Sequence, residues 1–256
     1  MLQAEEIEYD LRKFYTLIED NISEPRKTQL LDFYKSQEEI LVMAPASSRA
    51  SFHNSFPGGY LNHVVRVVEA AIKVRDLWGH MEASINFTNE ELVFAALNHD
   101  LGKLGMFGKP RYIPNDSEWH VKNQGANYKP NAELPFLPVQ DNSLFCLQEA
   151  GIAVSVNEYI AIKTHDGLYD DGNKAYLISG QNESKLRSSL PIILHQADMM
   201  ASRIEWEREW LDKVGGKASA GSATKTRTLT KPQASSEAMA RVSAKNPGLL
   251  AALKNI

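Results

Sequence analysis

The stretch LNHDLGKLG, residues 97 to 105, sets His99 beside Asp100 where an apolar segment gives way to glycine and lysine. Imidazole nitrogen with carboxylate oxygen suits Mn²⁺, Fe²⁺, Co²⁺, Ni²⁺ or Zn²⁺ better than Ca²⁺. Three more residues of these types stand at notable positions. His63 follows the turn Pro57-Gly58-Gly59, His165 opens a Gly/Asp-rich turn, and Asp198 lies inside the apolar run PIILHQADMM. An unpaired carboxylate buried among Ile, Leu and Met costs on the order of several kcal/mol. A metal ion is one of the few groups that offset such a cost. Neighbouring residues on a regular helix point about 100° apart, so His99 and Asp100 can share one ion only where the last turn opens.

Helices must carry these residues. Ile7, Leu11, Phe14, Tyr15 and Ile18 fall at helical spacing, and a second helix follows Ser23 as its N-cap, with Glu24 and Pro25 at early positions; together the two cover residues 3–42. The loop APASSRASFHNSFPGG leads into a helix from about Tyr60 to Trp78, with Leu61, Val64, Val65, Val68, Ala71 and Ile72 on one stripe. Thr88 and Glu91 form a capping box that opens the helix ending in His99-Asp100. Residues 102–141 read as loop with one short hairpin, and FCLQEAGIAVSVNEYIAIKTHDG as two short helices. Asp171-Gly172 suggests a small β-hairpin in YDDGNKAYLIS. Pro191 opens a last helix, and the Gly/Ser/Ala/Thr/Lys-rich segment after it has the composition of a disordered tail. The predicted fold is all-α, a single helical bundle with a loop/hairpin insertion and a disordered C-terminal tail. Its parts are residues 1–45, helices packed on the core; 46–212, the domain proper; and 213–256, the basic tail.

The spaced set His63, His99-Asp100 and Asp198, with HDLGK at residues 99–103, resembles the H…HD…D pattern of the HD-domain metal-dependent phosphohydrolase superfamily. The likeness spans roughly residues 50–205. FHNSFPGGYLNHV is similar to a motif of the branch that holds HD-domain 3′–5′ exoribonucleases, with Asn54 where a second histidine is often found. KTHDGLYDDG is similar to the HH-x-x-DG turn of two-metal members such as HD-GYP proteins, with Thr164 in place of the first histidine. The resemblance implies that His63, His99, Asp100 and Asp198 ligate one divalent ion. If a second binds, Asp100 bridges, with His120 and His165 as further ligands; the departures at Asn54 and Thr164 weigh for one ion. Such an ion makes hydroxide available near neutral pH and neutralises charge on a phosphoryl oxygen. Lys103, at the lysine of HDxGK, then meets a substrate phosphate, and His165 is an alternative phosphate contact or proton donor. His53 and Arg66 are candidate substrate contacts. His195, about one turn before Asp198, is placed to orient that carboxylate from behind.

Composition narrows the field. The chain has 256 residues, 43% of them hydrophobic, and a mean hydropathy of -0.35, enough to bury a sizeable core. No apolar run is long enough to span a membrane, and the acidic start MLQAEEIEYDL is unlike a secretory leader. A single cysteine, Cys146, excludes an internal disulfide framework, and cytoplasm is the expected compartment. Of 28 basic and 32 acidic residues, eight basic residues and Glu237 alone lie from Lys213 onward. Residues 1–212 therefore hold 20 basic and 31 acidic residues, which does not suit a dedicated duplex-DNA binder. The expected activity is hydrolysis of a phosphate ester bond in a nucleotide. The alternatives are a 3′–5′ exonuclease on RNA or DNA, with the basic tail as tether, and a catalytically silent nucleotide sensor or partner-binding protein. The N-terminal helices leave room for a homo-oligomer, and residues 106–141 are the expected seat of specificity.

Overall fold

In the computed structural model, residues 2–178 and 180–214 are described, with side chains to residue 209; the tail expected to be disordered lies outside them beyond Val214. Where two helices are expected over residues 3–42, three form: α1 (Ala4–Asn21), α2 (Arg26–Ser36) and α3 (Glu38–Met43). Gln37, at φ −128° and ψ 29°, breaks the helical path between the last two. Ile7, Leu11, Phe14 and Ile18 of α1 are buried, as their spacing predicts.

Next comes α4 (Gly59–His80), packed against α1, α3 and α5 (Asn89–Asn98). Because neighbours surround it, its buried set is wider than one stripe and takes in Leu61, His63, Val64, Val65, Val67, Val68 and Ala71. The capping box at the head of α5 is present, with Glu91 N–H donating to Thr88 Oγ1 at 3.1 Å and Thr88 N–H to Glu91 Oε2 at 2.9 Å.

The insertion holds more structure than one hairpin. β1 (Gly105–Met106) pairs with β2 (Lys109–Pro110), and β3 (Tyr112–Pro114) with β4 (Tyr128–Pro130), both antiparallel. Between β3 and β4 runs α6 (Glu118–Gln124), capped by Ser117. Then α7 (Val139–Glu149) and α8 (Val156–Thr164) form the expected helix pair, α8 lying against α5.

The hairpin expected at Asp171-Gly172 does not form. Asp170 Oδ1 accepts from Gly172 N–H at 2.9 Å and Asn173 Nδ2 donates to the Gly167 carbonyl at 2.9 Å. These local bonds close a 3₁₀ turn at Asp171–Asn173 that continues as α9 (Lys174–Leu177). The last helix, α10 (Leu190–Val214), is tied to α4 by the Trp78 Nε1 hydrogen bond to Gln196 Oε1 at 2.9 Å. Met1–Glu209 form one unit and Trp210–Ile256 a second; every site residue below belongs to the first. Among the described residues no helix is long and apolar enough to cross a membrane.

Candidate metal centre

Glycine sets the approach of the first ligand. Gly58 turns the chain at φ +78°, and a Cβ on Gly59 would lie 2.1 Å from the Asn54 carbonyl oxygen. This close crossing starts α4 and brings His63, fully buried, beneath the loop that carries His53. At the end of α5, His99 keeps helical angles, whereas Asp100 leaves them at φ −106° and ψ 10°, and the 3₁₀ turn Leu101–Lys103 follows. The expected opening of the last turn is what lets His99 and Asp100 face one point. Asp198 comes in from α10.

Four donor atoms converge. His63 Nε2 lies 3.4 Å from His99 Nε2, 3.1 Å from Asp198 Oδ1 and 3.5 Å from Asp100 Oδ2. His99 Nε2 lies 3.4 Å from Asp100 Oδ2 and 3.9 Å from Asp198 Oδ1. Donors around one ion at bond lengths of about 2.1 Å are separated by roughly 3.0 to 3.4 Å. The His63–His99, His63–Asp198 and His99–Asp100 separations fall in that range, and His63–Asp100 at 3.5 Å and His99–Asp198 at 3.9 Å are longer. The proton inventory fits as well. His99 Nδ1 donates to the Ala96 carbonyl at 2.8 Å, and His63 Nδ1 donates to Glu205 Oε2 at 3.0 Å. Both Nε2 atoms are then lone pairs, pointed at each other and at two carboxylates. Such a contact needs positive charge at its centre.

The titration shifts agree. Burial opposes charge on His63, yet Glu205, Asp100 and Asp198 outweigh it and hold its pKa well above the usual imidazole value. Burial likewise opposes the Asp100 and Asp198 carboxylates; Lys103 and His99 for the first, and His63 for the second, bring both below the ordinary range. For His165 burial is outweighed by Asp100 and Asp166, which lift it to about 9. A proton or a divalent cation satisfies the same contacts, and these buried His, Asp and Glu groups can hold a metal ion.

The remaining candidates are placed as follows. His165, buried at the end of α8, lies with Nε2 3.6 Å from Asp100 Oδ1. Lys103 Nζ sits 2.6 Å from Asp100 Oδ2 and lines a cavity of about 420 Å³ over the cluster. His53 lines the same cavity, with Nδ1 donating to Glu205 Oε2 at 2.8 Å. Three expectations change. His120 is exposed on α6, its Nδ1 2.6 Å from Ser117 Oγ, and takes no part in the cluster, because the insertion folds as its own small layer. Arg66 does not line the cavity; its Nε donates to Glu205 Oε1 at 2.9 Å. His195 acts on His165 and not on Asp198, with Nδ1 donating to the His165 carbonyl at 2.7 Å.

Two site residues were missed from sequence. Glu205 gathers His53, His63 and Arg66 on one buried carboxylate. Its sequence signal is its place seven residues after Asp198, two helical turns along one face. Asp166 has Oδ1 3.6 Å from His165 Nε2, and its signal is that His165-Asp166 repeats the pair His99-Asp100. Fold and site thus define a mostly helical protein, compatible with an HD-like fold, whose buried His/Asp cluster can hold a metal. No protein-family model, curated protein or solved structure matches the chain.

Proposed function

We propose that this chain is an HD-type metal-dependent phosphohydrolase that cleaves a phosphate ester bond of a nucleotide. The observation that carries the reading is the set of inward-facing imidazole lone pairs and carboxylates at the floor of an open cavity, with Lys103 at its edge. When bound, a divalent ion supplies a water of lowered pKa and positive charge for a phosphoryl oxygen. Mn²⁺, Fe²⁺, Co²⁺, Ni²⁺ and Zn²⁺ suit the donor set.

The chain's own residues do the rest. His63, His99, Asp100 and Asp198 would hold the ion, and Glu205 and the Ala96 carbonyl fix the two imidazoles with Nε2 inward. Lys103, steered by Asp100, offers an ammonium to a phosphate oxygen. Phe52, Tyr169, Met199 and Trp206 line the cavity away from this polar floor, the first three of them well exposed, and Arg203 lies 4.5 Å from the Trp206 ring centroid. An aromatic wall above a floor where Lys103 and a bound cation would supply positive charge suits a base joined to a phosphate. A cavity of about 420 Å³ suits a single nucleotide better than a polymer.

The test is metal analysis with a panel of nucleotides and generic phosphomonoesters and diesters, assayed with Mn²⁺. Wild-type protein should bind metal and turn over at least one nucleotide; Asp100→Ala should lose both, with turnover at least 100-fold lower. Full activity in Asp100→Ala would sink the assignment. Bound metal with no turnover on any substrate would turn the reading to a binding role.

A further inference from the structure

Away from its floor the cavity is lined mainly by hydrogen-bond acceptors. Among the described residues its lysine and arginine are Lys103 and Arg203, against the carboxylates Asp100, Asp166 and Asp198. Each cationic group already has an anionic partner. Lys103 Nζ lies 2.6 Å from Asp100 Oδ2, and Arg203 Nε donates to Glu207 Oε1 at 2.8 Å. His165 Nε2 lies 3.6 Å from Asp100 Oδ1 and from Asp166 Oδ1. His53 and His195 also line the cavity, and each commits its Nδ1 proton to a protein oxygen: Glu205 Oε2 at 2.8 Å and the His165 carbonyl at 2.7 Å. In the neutral imidazole the second ring nitrogen is then a lone pair.

We propose that the substrate is a nucleoside monophosphate, and that this lining turns away di- and triphosphates. This rests on the metallohydrolase reading and adds to it the number of phosphates admitted. One phosphate meets positive charge at the floor, from a bound ion and from the Lys103 protons that Asp100 leaves unused. A second phosphate would have to lie against lone pairs and carboxylates, with cations that are already matched. In the reaction, water attacks phosphorus and the bond from phosphorus to the sugar oxygen breaks. The leaving oxygen takes a proton from that water, so the products are a nucleoside and inorganic phosphate.

Acceptors that repel a phosphate welcome a nucleoside, whose sugar hydroxyls and base amino groups donate. Ser51 and Ser202 add hydroxyls to the same lining. Selection of this kind comes from a repulsive element as much as from an attractive one. Asp166 is that element. The charges of Asp100 and Asp198 would be offset by the ion, whereas Asp166 stands outside the four-ligand set, partly exposed on the cavity wall. A charge pair of this exposure is screened by salt, so the selection should weaken as ionic strength rises.

The experiment gives the Mn²⁺-loaded full chain the mono-, di- and triphosphates of the common ribo- and deoxyribonucleosides, at one fixed concentration of free Mn²⁺, and separates the products by chromatography. At least one monophosphate should yield nucleoside and inorganic phosphate, with kcat/KM at least about 10-fold above that of its own di- and triphosphate and the difference lying in KM. Asp166→Asn should narrow that gap by roughly 2- to 5-fold at low salt and by less at high salt. A di- or triphosphate used as well as its monophosphate overturns the selection and leaves the hydrolase standing. No turnover of any nucleotide overturns both. An unchanged gap in Asp166→Asn overturns the role given to that carboxylate. The wild-type ratios decide the number of phosphates even where the variant fails to fold.

Discussion

Glu205 does with one carboxylate what two residues do in many metal sites. Its Oε2 accepts hydrogen bonds from His53 Nδ1 and His63 Nδ1, while Oε1 accepts one from Arg66 Nε. Burial opposes its charge, but His63 and His53 bring its pKa down to about 2, so it serves as a fixed anion. An anion on Nδ1 raises the basicity of Nε2 and sets the ring's orientation, and losing such a partner typically costs about 10- to 100-fold in metal affinity. Glu205→Gln keeps the shape and removes the charge. Chelator competition should show Mn²⁺ binding weaker by roughly that factor, with the fold intact by circular dichroism. An unchanged affinity would mean that Glu205 serves packing alone. The clustering of His63, His99, Asp100 and Asp198 was legible in the sequence because metal chemistry restricts residue type, and few positions combine His or Asp with apolar neighbours. Glu205 was harder to see, since a glutamate late in a charged helix resembles a solvated one until the burial is known. Arg66 was misplaced for a related reason: which partner an arginine meets is a tertiary fact.

At the scale of elements, periodicity and capping were enough where local forces dominate. The Thr88–Glu91 box, the apolar stripe of α4 and the α7–α8 pair all follow from spacing. Asp171-Gly172 misled because side-chain bonds from Asp170 and Asn173 close a local turn before any strand can pair. Glycine shows the same limit, since its role depends on what stands opposite. In α4, a Cβ at Gly59 would strike the Asn54 carbonyl at 2.1 Å, while one at Gly79 meets nothing within 4 Å. The same substitution should therefore have opposite signs at the two ends of one helix. Gly79→Ala should stabilise by about 0.4 to 1 kcal/mol by reducing the freedom of the unfolded chain. Gly59→Ala should destabilise by more than about 1 kcal/mol and shift the loop that carries His53 and Asn54. Urea titration of both variants checks the pair, and equal effects would remove the close approach as the reason for glycine at 59.

A tie between three helices of the unit lies away from the site. Arg26 of α2 reaches Glu90 on α5 through Nη2 at 2.5 Å, and Glu158 on α8 through Nη1 at 2.8 Å to Oε1 and 2.9 Å to Oε2. The guanidinium carbon also lies 4.3 Å from the Phe94 ring centroid. Glu158 is fully buried and caps its own helix through the Ser155 N–H at 2.6 Å. The helices joined here are those whose ends present His99 and His165, so Arg26, far from both in sequence, links the two histidine-bearing helices. Burial pushes Glu158 toward its neutral form even beside Arg26, a sign that the carboxylate is costly to keep without its partner. Removing one member of a buried pair generally costs about 3 to 5 kcal/mol, whereas replacing both with apolar groups of similar size is close to neutral. Arg26→Met should thus destabilise by about 3 kcal/mol, lowering Tm by roughly 6 to 12 °C for a unit of this size. Adding Glu158→Leu should regain much of that loss, short of the Ser155 cap bond. Calorimetry on the two variants separates the outcomes: additive losses would show that Arg26 and Glu158 do not act as a pair, and that the histidine-bearing helices are held by apolar packing alone.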